Sequence, residues 1–361
     1  MKPSRVLGRM LQCLAAALLA STVGLSCAFG QAQVFNPASW DGPRTGPPKQ
    51  AAKTVVFVAQ DVRNGGITAL FRNFENATRQ LGWQVRLLDG AGQSDKLRER
   101  FGEAIKQKPD AIVLGGFQID AGLADLSAEA RRAGIVLVGW HAAAEPGPTA
   151  ELFDNVATSS GEVAADAANY VIQNSSGEVG VVIINDDRFA VANAKTKQMQ
   201  EVLAKCKRCH VLSVENVAIS NAHAEIPALV HSLNARFGKR WTHTLAINDI
   251  YFDDMNFPLM EAGRTDVRNI SAGDGSNNAI ARIRWGKSQQ VATIAEPLGA
   301  QGWQLADELN RAFAGQQPSG YVTRPILITT QSLRLFESAT EELASYRSSY
   351  SAIWKAETAV K

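Results

Sequence analysis

The run Cys206-Lys207-Arg208-Cys209-His210 carries the most specific chemical spacing in the chain. Two cysteines separated by two residues and followed by histidine form the covalent haem-attachment pattern. The same spacing suits a local disulfide between a helix and a strand. A redox-active pair would follow a strand and open a helix, where the helix dipole lowers a thiol pKa. Here the order is reversed: helical text from about Asn193 ends near Cys206, and a strand begins at Val211. Haem would also need a pocket for a large porphyrin and a second axial ligand.

The compartment bears on that choice. Lys2, Arg5 and Arg9 precede the apolar run "MLQCLAAALLASTVGL" and the small residues of "SCAFGQAQ". Residues 1–30 therefore read as a secretory signal peptide, cut after Ala28, after Gly30 or near Ala32. A lipoprotein signal ending at Cys27 fits less well, because Gly24-Leu25-Ser26 precedes it. Cys13 and Cys27 fall in that region, so Cys206 and Cys209 are the pair that clearly survives, and in an oxidising compartment such a pair most simply forms a disulfide. Losing three positive charges takes the formal net charge from +2 to −1, with no basic run, which removes the electrostatic basis of nucleic-acid binding. No later stretch is long and apolar enough for a membrane helix. There is no His-Glu-x-x-His, no Gly-Lys-Ser/Thr phosphate loop, no full Gly-x-Gly-x-x-Gly and no Gly-x-Ser-x-Gly. Nothing positive supports catalysis, a cofactor or a metal.

A second set of chemically capable residues gathers wherever an apolar run ends. It comprises Asp61 to Gly66, Gly115 to Asp120, Trp140-His141, Asn185 to Phe189, Asn248-Asp249, Gly273 to Ser276, and Glu296. The runs themselves are short and rich in β-branched residues: "TVVFVAQD", "WQVRLLDG", "AIVLGG", "IVLVGW", then "VGVVIIND", "HVLSVENV", "HTLAIND", "NISAGDG", "VATIAEP" and "RPILITT". Between them apolar residues recur at helical spacing, as in Ile67, Leu70, Phe71, Phe74, Ala77 and Leu81. Further helices are predicted near 121–133, 193–205 and 299–314, and Ser159-Ser160-Gly161-Glu162 reads as a capping box. Near-continuous apolar strands alternating with amphipathic helices predict parallel sheets covered on both faces, in two doubly wound α/β lobes. Ligands of such sheets sit beyond the carboxyl ends of the strands, which is where the polar and aromatic residues collect.

The order and spacing of "VFVAQDVRNGG", "LGWQVRLLDG", "PDAIVLGGFQIDAG", "AGIVLVGW", "FDNVA", "LAINDI", "ISAGDGS" and "ATIAEPLGAQG" resemble the ribose/galactose-type (LacI-like, type I) periplasmic binding proteins of ABC sugar importers over about residues 53–332. The resemblance implies two lobes joined by a three-stranded hinge, with crossings near Phe153-Asn155, Glu296-Pro297 and Thr323-Pro325. The N-terminal lobe would comprise 53–153 plus 297–323, and the C-terminal lobe 154–296 plus 324–336. Residues 31–52 would be a flexible leader and 337–361 a helical extension. In the carboxyl-terminal segment from Ser332 onward, Leu335, Phe336, Ala339 and Leu343 would cover the hinge, while Tyr350 and Trp354 pack on the protein itself or meet a partner.

Carried over by position, the ligand contacts are Asn64, Gln118, Trp140 and His141 from the first lobe, and Asn193, Asn248, Asp274 and Glu296 from the second, with Arg188 and Phe189 on the wall. Trp140 at a strand end, Asn248-Asp249 before a helix, and Asp274 in "GDGS" would equally serve as core, cap and turn. Sugar-binding relatives commonly have Asp-Arg in place of Trp140-His141, an aromatic pair in place of Gly66-Ile67, and an arginine in place of Asn193. The expected ligand is therefore small, polar and sugar-like but outside the standard ribose or galactose set, with an amine permitted by Asp274 and Glu296. The expected role is capture by a monomeric, non-enzymatic protein in the periplasm that hands its ligand to an ABC permease. The alternative is a ligand-sensing subunit for a membrane histidine kinase.

Overall fold

The structure, a computed structural model, describes residues 40–337 and 345–355. The signal peptide, most of the leader, and Ala339 and Leu343 lie outside the described residues, as do the side chains of Leu335 and Phe336. The chain opens with β1 (Thr54–Ala59), α1 (Gly65–Leu81), β2 (Gln84–Asp89), α2 (Ser94–Lys106), β3 (Ala111–Gly115), α3 (Ala124–Arg132), β4 (Val136–Trp140) and β5 (Asp154–Val156). These strands form one sheet in the order β2-β1-β3-β4-β5, with every neighbour pair parallel. In β1 successive side chains enter opposite cores: Val55, Phe57 and Ala59 on one face, Val56 and Val58 on the other. Burial on both faces is why the strand reads as apolar throughout rather than alternating.

The second sheet is built from α4 (Ser160–Gln173), β6 (Val179–Asn185), α5 (Ala190–Leu203), β7 (Cys209–Asn216), α6 (Ala222–Phe237), β8 (His243–Ala246), α7 (Asn256–Glu261), β9 (Arg268–Ser271), α8 (Asn277–Trp285) and β10 (Gln290–Ala295). After α9 (Leu298–Phe313) come β11 (Ile326–Thr329), α10 (Thr330–Glu337) and α11 (Ser345–Lys355). The sheet order is β11-β10-β9-β8-β6-β7, and β11 runs antiparallel to β10. The strand text "RPILITT" gave no orientation; the chain returns from α9 in the first lobe and adds β11 at the edge. Ser159 caps α4 as expected, its Oγ accepting from Glu162 N at 3.3 Å. Two lobes of this kind are the predicted architecture.

The two cysteines of the Cys206–His210 run form a disulfide. Cys206 and Cys209 are bonded to each other in the connection from α5 to β7, with Cα atoms 5.3 Å apart. Bonded sulfurs have no thiol to add to a haem vinyl group, and His210 is exposed beside Glu178 at 2.8 Å. The haem reading is overturned on both counts.

Residues 40–52 correct the expectation of a free leader. Lys49 N donates to Trp354 O at 3.0 Å, Gln50 N donates to Asn310 Oδ1 at 2.8 Å, and Trp83 Nε1 donates to Gln50 O at 2.6 Å. The cause lies in α9, which packs backbone-close on α1 at Gly302, where a Cβ would lie 2.7 Å from Phe74 N. This helix buries Gln301, Gln304, Asp307, Glu308, Asn310 and Arg311 along with its apolar stripe. Buried polar groups need partners. Asn310 Nδ2 finds the carbonyls of Pro47 and Pro48, and Arg311 finds Asp307 and the carbonyl of Thr45. From the other end of the chain, α11 folds onto the same helix. Trp354 stacks on Trp303 at 5.4 Å and donates Nε1 to Asp307 Oδ1 at 2.8 Å, while Tyr350 is fully buried against Trp40. The extension therefore packs on its own protein.

Removing that indole should be costly. Trp354→Ala leaves a large cavity and takes a donor from buried Asp307, so a loss of about 3–5 kcal/mol is expected. Guanidinium unfolding followed by far-UV circular dichroism measures it; a loss below about 1 kcal/mol would mean that α11 is only loosely attached.

Candidate functional site

The carboxyl ends of the two sheets face each other across a cavity that holds about 550 Å³ of empty space, part of it open to solvent. Gln60, Asn64, Ile67, Gly116, Trp140 and His141 line it from the first lobe. Phe189, Val191, Ala192, Lys195, Ile219, Ile247, Asn248 and Asp274 line it from the second. The lobes touch around it. A Cβ on Gly66 would sit 2.4 Å from Asp274 Oδ2, one on Gly65 would sit 3.0 Å from Ser276 Cβ, and one on Gly92 would sit 2.9 Å from Ser220 Cβ. A side chain in place of Gly66 would meet the Asp274 carboxylate of the opposite lobe.

Local structure places each polar group. Asn64 is the N-cap of α1; its Oδ1 accepts from Gly66 N at 2.8 Å and Ile67 N at 3.4 Å, which directs the amide Nδ2 to other partners. Asn248 caps the short turn after β8 by accepting from Ile250 N, and donates Nδ2 to Asp274 Oδ2 at 2.6 Å. The Gly273 to Ser276 loop is held from beneath by Asp249, whose Oδ2 accepts from Gly275 N at 2.7 Å and Ser276 N at 3.1 Å. Burial, with Asp274 nearby, raises Asp249 to about 6. Trp140 is fixed in its plane by Nε1 donating to Gln301 Oε1 at 2.9 Å and by an edge contact with His141 at 4.6 Å. His141 itself adopts φ 51, in the left-handed region, which aims its ring across the hinge.

Glu296 joins the parts. Its Oε1 lies 2.7 Å from His141 Nε2. Its Oε2 accepts from Gln301 Nε2 at 2.9 Å and Thr158 N at 3.4 Å. Gln301 also donates to Thr323 Oγ1 at 2.9 Å. One carboxylate thus binds, directly or through Gln301, every segment that crosses between the lobes. Burial alone would raise Glu296, but His141, Lys195 and Gln301 together outweigh it and hold the group at about 2. Asp274 is pushed upward by burial, against the pull of Lys195, with Glu296 adding to the rise. Lys195 is itself buried, donates to Ala272 O at 2.8 Å, and has no carboxylate at ion-pair distance among the described residues.

Of the residues proposed from sequence, Asn64, Trp140, His141, Asn248 and Asp274 meet at the cavity, with Glu296 immediately behind His141. Three do not reach it. Arg188 is forked onto Asp186, with Nε and Nη2 at 2.8 and 2.6 Å from its carboxylate oxygens. Asn193 is exposed and ties its own loop, accepting from Asn185 Nδ2 and donating to Asp187 O, both at 2.9 Å. Gln118 lies outside the lining, its buried Nε2 unpartnered among the described residues. A cation that the sequence reading did not name lines the cavity two residues on, as Lys195. Two residues on a helix are separated by about 200°, so a small error in register moves a side chain to the far face. The signal was the burial stripe Ala192, Lys195, Thr196, Met199, Val202 and Leu203, in which a lysine occupies an apolar position. Gln60, the last polar residue of "VFVAQ", was passed over; its side chain makes no hydrogen bond among the described residues.

The chain belongs to the periplasmic binding protein domain family, which it matches over residues 55–317. Its fold is similar to an ABC transporter solute binding protein from Agrobacterium vitis with bound allitol (19% identity, TM-score 0.68, 80% of this chain and 99% of that one). It is also similar to the 5-methylthioribose transporter solute binding protein from Thermotoga lettingae in complex with 5-methylthioribose (17%, 0.73, 84% and 95%). A third likeness is to an ABC transporter solute binding protein from Bacillus halodurans with bound myo-inositol (15%, 0.66, 81% and 99%). No curated protein sequence matches the chain.

Glu296 carries a pH signature. Its folded pKa is about 2 against an ordinary 4.5, so its stabilising contribution is full above about 4.5 and is lost as pH falls through about 2. Glu296→Gln lacks that contribution at every pH. Urea unfolding between about pH 5 and pH 2.5 should show wild type and variant converging as pH falls. A gap that stays constant would mean that the charge of Glu296 is not what holds the crossings.

Proposed function

We propose that this chain is the solute-binding component of an ABC importer, exported behind residues 1–30, which captures a small hydroxylated ligand between its lobes and presents it to a membrane permease. The lobes in this reading are 53–153 plus 297–323 and 154–296 plus 324–336, except that β5 (Asp154–Val156) pairs with β4 and so belongs to the first sheet. Its task is capture: no bond in the ligand is made or broken. The observation that carries the reading is one cavity furnished by both lobes, with Asn64, Trp140 and His141 facing Lys195, Asn248 and Asp274. A molecule bonded by both walls stabilises the closed arrangement over an open one, which is the differential affinity that hinge closure requires.

The charges favour a neutral ligand. Asp274 and Glu296 would welcome an amine if they stood alone, but Lys195 and His141 lie beside them. Carboxylate, amide and ammonium together offer acceptors and donors to hydroxyl groups, while Trp140 offers a ring face to the carbon side. The similar proteins solved with allitol and with myo-inositol support this ligand class. They are transporter subunits and lend nothing to the kinase-sensor alternative. The disulfide at Cys206 and Cys209 suits an oxidising periplasm.

A panel of sugars, polyols and amines tests the proposal. A hydroxylated ligand should raise the melting temperature and reduce the radius of gyration in X-ray scattering, and Lys195→Met should weaken its binding by about tenfold or more. Tight binding of an amine with no response to any sugar or polyol would refute the neutral-ligand reading. A response to nothing in the panel would remove the case for transport of such solutes.

A further inference from the structure

A buried polar stripe on α9 fastens down the chain that leads into the third crossing. Gln301, Gln304 and Glu308 follow one another at spacings of three and four residues, on one face of the helix. Gln301 Nε2 donates to Thr323 Oγ1 at 2.9 Å, Gln304 Nε2 donates to Tyr321 O at 2.7 Å, and Glu308 Oε2 accepts from Ser319 N at 3.0 Å. Ser319 Oγ bonds to Glu308 Oε1 as well. Three to four helical residues advance about 4.5–6 Å and two extended residues about 6.6 Å, so every second residue of the segment meets the next side chain of the stripe.

The last rung lacks a counter-charge. Arg311, one turn beyond Glu308 on α9, is committed to Asp307 at 2.7 Å and to the carbonyl of Thr45. Asp154, on β5 beside the first crossing, is buried and close enough to Glu308 to repel it. Among the described residues neither carboxylate has a lysine, arginine or histidine at ion-pair distance. The other titratable groups around Glu308 are Asp307 on α9, Tyr321 on the segment itself and Tyr350 on α11, and burial keeps both tyrosines neutral. From β4 and α1 the helix meets apolar side chains. Two uncompensated buried charges would be costly. Burial, with Asp154 adding to it, pushes Glu308 up to about 8, and burial raises Asp154 to about 6. A second observation agrees: Gln304 Oε1, one helical turn before Glu308, is a buried acceptor with no donor among the described residues. A proton on Glu308 is the donor that the i, i+4 spacing offers it.

We propose that Glu308 is a proton-operated latch on the third crossing: with its carboxyl protonated the segment from Ser319 to Thr323 stays docked on α9, and ionisation beside a charged Asp154 releases the segment and lets water reach the carboxylate. Docking is then strongest below about 4.5, the ordinary value for glutamate, and weakens as pH rises to about 8.

Hydrogen exchange of the mature chain, read by mass spectrometry and corrected for the intrinsic pH dependence of amide exchange, tests this. In wild type the peptide containing Ser319 and Tyr321 should lose protection by about tenfold or more between about pH 5.5 and about pH 7.5. Glu308→Gln keeps an acceptor for Ser319, brings an amide donor to Gln304 and cannot ionise, so its protection should stay constant over that range. Asp154→Asn, which removes the opposing charge, should make the loss smaller than in wild type. Wild-type protection that does not change with pH overturns the proposal, as does an equal loss in wild type and Glu308→Gln. Should Glu308→Gln fail to fold, an equal loss in wild type and Asp154→Asn overturns it in the same way.

Discussion

A carboxylate sealed inside a protein must be met by donors, and Glu296, at the end of β10 in the second lobe, is met by donors from the first lobe and from the chain between the lobes. His141 comes from the end of β4, Thr158 from the first crossing, and Gln301 from the helix that begins where the second crossing ends. Gln301 passes the connection on to Trp140 and to Thr323 at the third. Breaking one partner of such a buried group leaves uncompensated charge, so these segments are constrained together rather than singly. The positions of Trp140 and His141 in the cleft follow from that constraint.

The same economy of internal pairing decides what the cleft can offer. After the first strand of each sheet the chain makes the same device. Asp61 is buried and takes Arg63 in a fork, as Asp186 takes Arg188. Asp249 is likewise spent on the backbone of the Gly273 to Ser276 loop. Of the charged and amide side chains near the strand ends, Gln60, Asn64, His141, Lys195, Asn248 and Asp274 line the cavity.

The sequence made the architecture legible because its strands are buried on both faces and its helices on one, and those two patterns differ in period. The strand-end rule then found Asn64, Trp140, His141, Asn248, Asp274 and Glu296, whose positions depend on where a strand stops. It failed where a position depends on a helix register or on a side-chain pairing. Asn193, offered as a contact, bonds within its own loop while Lys195, on another face of α5, lines the cavity, and Arg188, placed on the wall, is bonded to the aspartate two residues before it. The leader was misread for a related reason. Nothing local in residues 40–52 signals order; their partners are the buried amide and guanidinium of α9, some 260 residues away. Non-local pairing of this kind leaves no periodic trace.

That arrangement on α9 has a consequence for how the molecule comes into being. The first lobe owes part of its core to Tyr350, Ile353 and Trp354, which follow the second lobe's parallel strands in the chain. A chain emerging from its amino end can assemble β1 to β5 early, yet α9 and α11, which cover them, arrive only after β6 to β10. The second lobe, whose sheet is nearly continuous in sequence, can mature ahead of the first. The core of the first lobe is therefore complete only once the carboxyl-terminal helix has docked on α9.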